Sequence, residues 1–380
     1  MNKALLTSLL LVLLLAGGKV HAEDDVDYIE LAALMLRDGN IERALSALGQ
    51  AETEVEEFDW ARYHTLYGMA YLRSGDKEQA KQALDQAVAA GASDAVVFIY
   101  LAQVNFELGD YNGALTALDL AGAEVARIAS TYHMRAQSHW LLEQHLAALA
   151  VLDQAAQVFP ADPSFQRRKV FYLIELGLYQ EAASQGQEYL QRSAGAVEDY
   201  VAIGDAMRRS GQVEQALQFL EAARLLFPEN TLVSKALAHA YIDDQSLHVA
   251  AGIIDQAAHR DAALIPEAAE LYRQAGQTYR ALLLNSQVRD QDAKLKQRLA
   301  LLLELSHYEQ AAAMEQDLYR RGLLDNEDIR YALAYALFKA GNYDRAEAQL
   351  SLLRRSDLFR KAVEVRRAIE ECRAAPWRCG

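Results

Sequence analysis

The chain has 380 residues, with 53 Asp and Glu against 38 Lys and Arg and a formal net charge of −15, the wrong sign for a nucleic-acid binder. Its 52% hydrophobic content and mere 5 prolines argue against disorder beyond the ends and favour a packed, almost wholly helical chain.

Residues 1–22 read as a secretory signal peptide. Lys3 supplies the positive start, Leu5 to Ala16 the apolar stretch, and Val20-His21-Ala22 the small-residue pattern that places cleavage between Ala22 and Glu23. A retained anchor is the alternative, but the apolar run falls short of the roughly 20 residues that span a bilayer. No cysteine follows it, which argues against a lipoprotein, and no other stretch could span a membrane once the signal is removed.

From residue 25 onward one helical pattern recurs. Ala114, Ala148, Ala182, Ala216 and Ala250 stand 34 residues apart. The first unit holds Tyr28, Leu31, Ala32, Gly39, Ala44, Leu48 and Ala51, and the second Tyr67, Gly68, Tyr71, Gly75, Ala80, Leu84 and Ala87. The clearest copy begins at Val197 with Tyr200, Ile203, Gly204, Met207, Gly211, Ala216, Leu220, Ala223 and Pro228. After Ala250 the step shortens to Ala281 and Ala311, and Asn285 and Glu315 occupy slots that should be apolar. A unit around Leu333, Ala334, Gly341, Ala346 and Leu350 recovers the pattern.

A 34-residue pair of short helices cannot bury its apolar face alone, so repeated pairs must stack. Small residues at positions 8, 20 and 27 let the two helices, A and B, approach closely, while large ones at 4, 7, 11 and 24 fill the gaps. Gly at position 15 ends helix A, and Pro at 32 ends helix B.

These landmarks resemble the tetratricopeptide repeat (TPR) signature. The resemblance implies an all-α fold, a right-handed superhelical solenoid of about ten units over residues 23–357. The register is irregular over 262–326, where drift of the repeat is favoured over a kink or a change in superhelical pitch. Residues 358–380 then form a basic C-terminal capping helix and a tail containing Cys372 and Cys379.

In the family, positions 2, 5, 9 and 12 of helix A line a groove that holds partner segments. Carried over, they give Arg62, Thr65 and Met69; Ile99, Gln103 and Phe106; His133, Gln137 and Trp140; Arg167, Phe171 and Ile174; Asp205 and Arg208; and Lys235 and His239. Phe106, Trp140 and Phe171 would form an aromatic stripe with adjacent arginines as anchors, unless the rings only complete helix packing. The family's clamp for C-terminal carboxylates needs Asn at position 9. This chain has Met69, Gln103, Gln137, Phe171, Asp205 and His239 there, which argues against that mode.

Catalytic and metal signals are thin. Ser74-Gly-Asp-Lys77 spells a Ser-x-x-Lys acylation motif but falls in a helix-to-helix turn. His133, His139 and His145 are spaced by six residues, unlike the i, i+4 pair of helical metal sites. No cofactor motif is present, and the chain reads as a non-enzyme.

At the C-terminus, Cys372 and Cys379 pair as a disulfide in an exported protein, a free redox pair being the competitor; zinc would need further ligands. Eight Lys and Arg between Arg354 and Arg378 face four acidic residues, marking either a solvated cap or a docking surface for an acidic partner or anionic lipid. The expected function is an exported, periplasmic scaffold binding protein partners in a bacterial envelope assembly, similar to the TPR proteins of TonB-type energy-transducing systems. Pilus, polysaccharide-export or cell-wall assembly, or glycan and peptidoglycan binding, are the alternatives.

Overall fold

The computed structural model describes residues 26–375, and among them every regular element is helical: 22 α-helices, a few 3-10 turns and no strand. These residues divide into two compact units, 26–160 and 161–375.

The first unit contains four A/B pairs: α1 (Tyr28–Arg37) with α2 (Ile41–Leu48), α3 (Trp60–Ser74) with α4 (Lys77–Ala89), α5 (Ala95–Glu107) with α6 (Tyr111–Leu120), and α7 (Ala129–Leu141) with α8 (His145–Val158). The second begins with α9 (Ser164–Glu175) and α10 (Tyr179–Arg192), α11 (Val197–Arg209) and α12 (Val213–Leu226), and α13 (Thr231–Asp243) and α14 (Leu247–Ala258). It continues with α15 (Ile265–Gln274) and α16 (Thr278–Asn285), then α17 (Gln291–Glu304) with α18 (Tyr308–Ala313) and α19 (Glu315–Arg320). The last pair, α20 (Glu327–Lys339) and α21 (Tyr343–Leu350), is followed by α22 (Ser356–Ala374).

Local chemistry sets these boundaries. Asp27, Asp59, Asp76, Asp110, Asn230, Asp290 and Asn326 precede helices and accept hydrogen bonds from the first-turn N–H groups, which have no partner inside the helix. Helix A ends in every pair on a residue with positive φ at position 15. Glycine fills seven of these sites, whereas Glu143 (φ 59°), Gln245 (φ 62°) and Ser306 (φ 58°) fill the other three. The tight turn imposes the left-handed backbone whatever residue is present, and a side chain there costs about 1 kcal/mol relative to glycine. Glu143→Gly, Gln245→Gly and Ser306→Gly are each expected to stabilise the protein by about that amount, read as a rise in the denaturation midpoint.

The alanine ladder is the contact line between helices A and B. Ala44, Ala80, Ala114 and Ala148 in the first unit, and Ala182, Ala216, Ala250, Ala281, Ala311 and Ala346 in the second, are all 0% exposed. Opposite them, position 8 meets position 24 of the same pair. A Cβ added at Gly68 would lie 2.5 Å from Leu84 Cγ, and one at Gly204 2.4 Å from Leu220 Cδ2. The α9/α10 pair reverses this arrangement. Its position 24 is Gly186, which receives Ile203 of the following helix A, 2.5 Å from where a Cβ would stand. Large and small residues thus exchange sides while the volume between helices is conserved.

Residues 262–326 keep the pair architecture, with Gly276 and Ser306 turning the chain and Ala281 and Ala311 buried. Asn285, polar in an apolar slot, is fully buried because its Nδ2 donates to the Lys294 carbonyl (3.0 Å) and Gln297 Oε1 (3.1 Å), tying α16 to α17. Gln297 Nε2 donates in turn to the Pro266 carbonyl on α15 (2.9 Å). Glu315 opens α19 after a break at Met314 and accepts from Arg345 Nε (2.8 Å) and Gln349 Nε2 (2.7 Å) of α21. The irregular stretch thus retains its helix pairs, with one helix B interrupted at Met314.

The capping helix α22 buries Leu358, Ala362, Val365, Ile369 and Cys372, a strict helical face that packs against α20 and α21. Its arginines are largely engaged: Arg366 Nε meets Glu347 (2.7 Å), Arg373 meets Asp344, and Arg355 meets Asp328 (2.6 Å) and Asp357 (2.7 Å). Half of the eight basic residues counted in sequence, Arg355, Arg366, Arg367 and Arg373, are therefore paired with acidic residues of the preceding helices and of this last segment.

Candidate partner-binding surface

The helix A positions chosen from the repeat register occupy one environment. Thr65, Met69, Ile99, Gln103, Phe106, His133, Gln137 and Trp140 in the first unit are all half-buried, and Arg62 is exposed. In the second unit Phe171, Ile174, Asp205, Arg208 and Lys235 are half-buried, while Arg167 and His239 are exposed. A half-buried helix face with mixed chemistry can offer both shape and hydrogen-bonding groups to a bound chain.

Phe106 and Trp140, both at position 12, repeat one local contact. Each ring packs on the first residue of its own helix B, Phe106 against Tyr111 (centroids 5.5 Å apart) and Trp140 against His145 (4.6 Å). Phe171, in the second unit, makes a different contact, lying beneath the Arg167 guanidinium at 5.0 Å. The two first-unit rings thus also serve the packing within their own pairs.

The arginines are committed to neighbouring repeats. Arg62 pairs with Glu30 of α1. Arg167 Nε donates to Asp199 Oδ1 of α11 at 2.6 Å; Asp199, only 2% exposed, also accepts from Tyr189 Oη (3.0 Å) and the Ala196 N–H (2.9 Å). Arg208 bridges Asp205 of its own helix (2.7 Å) and Asp243 of α13 (2.7 Å). The same acid–arginine–acid arrangement recurs at Glu270, Arg273 and Glu304, with Arg273 2.7 Å from one carboxylate and 3.0 Å from the other. In both cases the acid at position 9 and Arg at position 12 of one repeat meet an acid at position 13 of the next. Asp199, Asp243 and Glu304 escaped the sequence reading because a single-repeat template does not show which position of the next repeat faces it. The spacings Arg208 to Asp243 and Arg273 to Glu304, close to one repeat, were the available signal.

Charge pairing fixes the sign of one pH effect. The hydrogen bond from Arg273 holds the Glu270 carboxyl below its ordinary value, against the opposing effect of burial. A depressed carboxyl contributes stability that is present above its unfolded value and is lost as pH falls through the folded one. Glu270→Gln should therefore show a smaller drop in melting temperature than the wild type between about pH 5 and pH 3. A thermal-melt series over that range checks it.

In the first unit a cleft of about 370 Å³ lies between the N-terminal ends of α3 and α5, lined by residues that include Asp59, Arg62, Thr65, Leu66, Asp94 and Val97. It brings together two of the sequence-chosen residues, Arg62 and Thr65. Beside it in sequence, Phe58, Trp60, Tyr63 and His64 form a cluster that the repeat template did not reveal, with Phe58 4.8 Å from Trp60 and Trp60 stacked 5.5 Å from His64.

The remaining sequence candidates have structural settings. Ser74 Oγ donates to the Tyr71 carbonyl (2.9 Å) and Lys77 pairs with Glu107 (3.2 Å), so the Ser-x-x-Lys residues serve a turn and a repeat-to-repeat contact. His139 Nδ1 lies 2.7 Å from Gln144 Oε1. Among the described residues, no three His, Cys, Asp or Glu are grouped to hold a metal, and no helix is long and apolar enough to cross a membrane. Cys372 is buried on α22, whereas Cys379, Ala22 and Glu23 lie outside the described residues.

Models of the tetratricopeptide repeat match residues 35–98, 133–197 and 300–358. The chain is a tetratricopeptide-repeat protein. Among solved structures, the C-terminal part of a TPR repeat-containing protein from Cytophaga hutchinsonii is similar, at 14% identity and TM-score 0.50, over 62% of this chain and 95% of that one. A TPR protein from Parabacteroides merdae aligns with 74% of this chain and all of its own (13% identity, TM-score 0.42). PilF of Pseudomonas aeruginosa aligns with 54% and 93% (16% identity, TM-score 0.40). At these identities the likeness concerns the fold alone. No curated protein matches the sequence. As a TPR protein, the chain has the architecture of a protein–protein interaction scaffold.

Proposed function

We propose that this TPR protein is an exported, non-catalytic scaffold that holds protein partners in a bacterial envelope assembly. The observation that carries the scaffold role is the division of labour on helix A. Charged residues at several groove positions join successive repeats, while Met69, Ile99 and Lys235 keep part of their surface open, and His239 is exposed, on helices already held in place. A preformed surface of this kind binds with little ordering cost. Export rests on the leader-like residues 1–22, and the repeat layout makes a TonB-type energising or uptake complex the first client to test.

A photoreactive residue placed at Met69 or Lys235 in the full chain, expressed in a Gram-negative host, should cross-link a common partner. The same group at Leu225, which is 84% exposed on helix B, should not. Equal labelling from all three positions would remove the helix A surface as the binding face. Retention of the chain in the cytoplasm after osmotic shock would remove the envelope role.

A further inference from the structure

We propose that the cleft between α3 and α5 receives a lysine or arginine side chain from a basic segment of the partner. This inference rests on the scaffold reading and narrows the partner to one charge class.

The cleft has the chemistry of a socket for a long cationic side chain. Leu66 and Val97, 7% and 3% exposed, supply apolar surface for a methylene stem. Its one cation, Arg62, is already bound to Glu30 and does not neutralise the opening. Asp59 uses a carboxylate oxygen to accept the Arg62 N–H at 2.9 Å. Asp94 is different: it precedes α5 and its carbonyl accepts the Val97 N–H (3.0 Å), but its carboxylate caps no N–H of that helix, and it is exposed at the rim. A cationic head entering over Leu66 and Val97 would find this uncommitted carboxylate.

The surroundings carry the same sign. Residues 49–61 contain Glu52, Glu54, Glu56, Glu57 and Asp59 and no Lys or Arg. Across residues 26–160 there are 19 Asp and Glu against 8 Lys and Arg, so the first unit has a strong negative balance that would steer a basic segment toward it. Trp60, 44% exposed and flanked in sequence by lining residues, adds an aromatic face to which a second cation of the same segment can bind. Burial lowers the pKa of its stacking partner His64, so that ring adds no opposing charge at neutral pH.

The test titrates the full chain without its leader against a fluorescent 12-residue peptide of alternating Lys and Val, with an alternating Glu and Val peptide as control. The Lys peptide should bind and the Glu peptide should not. Asp94→Lys should weaken binding at least about tenfold, whereas Asp94→Glu, and Glu124→Lys on an exposed 3-10 turn of the same unit, should change it by less than about twofold. Equal losses from Asp94→Lys and Glu124→Lys would reduce the effect to overall charge and overturn the socket, as would binding of the Glu peptide. Cross-linking from Lys235 separates the two levels of inference. A partner captured equally by wild type and Asp94→Lys, together with unaltered peptide binding, sinks the socket and leaves the scaffold standing; the absence of any captured partner sinks the scaffold reading itself.

Discussion

Asp199→Ala should destabilise the second unit by about 3 kcal/mol, the largest loss expected from removing a single polar side chain in this protein. The carboxylate is 2% exposed and collects three donors: Arg167 Nε from α9, Tyr189 Oη from α10 and the Ala196 N–H at the start of its own helix. Arg167 remains 44% exposed and can be rehydrated when the carboxylate is removed. Tyr189 and the Ala196 N–H are the groups left short of a partner, and their desolvation accounts for most of the cost. Asp199→Asn keeps the shape and accepts one or two of the same bonds, so its loss should be smaller. Denaturant titration gives the free energies. Because stability in a repeat array passes between nearest neighbours, amide exchange should quicken first in α9 to α11. A loss below about 1 kcal/mol for Asp199→Ala would mean that these bonds barely outweigh the burial of the charge.

Gly204→Val is the second large effect, about 3 kcal/mol, and its cause is steric. The added Cβ would stand 2.4 Å from Leu220 Cδ2 and 2.6 Å from Leu220 Cγ, too near for a small adjustment of the leucine's far end to relieve. Valine's better helix propensity returns less than about 1 kcal/mol, so the clash wins. The contact is specific to one pair of positions, which makes it testable by a cycle. Leu220→Ala alone should cost about 3 kcal/mol through the cavity it leaves in a fully buried site. Combined with Gly204→Val, it should cost at least about 1 kcal/mol less than the sum of the two. Strict additivity would show that helices A and B separate instead of repacking.

These two variants also separate what was legible in sequence from what was not. The Gly204–Leu220 contact follows from the repeat register, because a small residue at position 8 and a large one at 24 are local to one helix pair and recur. Positions at which the template fails could be located but not explained. Gly186 occupies a slot for a large residue because Ile203 of the following repeat fills it, and Asn285 is tolerated there because the Lys294 carbonyl and Gln297 Oε1 accept from its Nδ2. Glu143, Gln245 and Ser306 lack the glycine signal, yet they turn the chain as glycine does. In each case neighbouring packing outweighs local preference.

The candidate surface divides in the same way. The resemblance to the TPR family, carried over onto the repeat register, placed Arg62, Arg167 and Arg208 on helix A and made them look like anchors for a partner. Their charges are instead answered by Glu30, Asp199 and Asp243 in adjacent repeats, and the cleft at Asp94 has no signature in a single repeat. The amino-acid sequence by itself determined the helix pairs, their turns and the alanine contact line, because these depend on residues within about one repeat of each other. Only the tertiary structure decided which charges are spent between repeats and which remain on the surface. That choice depends on the side chains a neighbouring helix brings within hydrogen-bonding distance, and a one-dimensional period does not encode it.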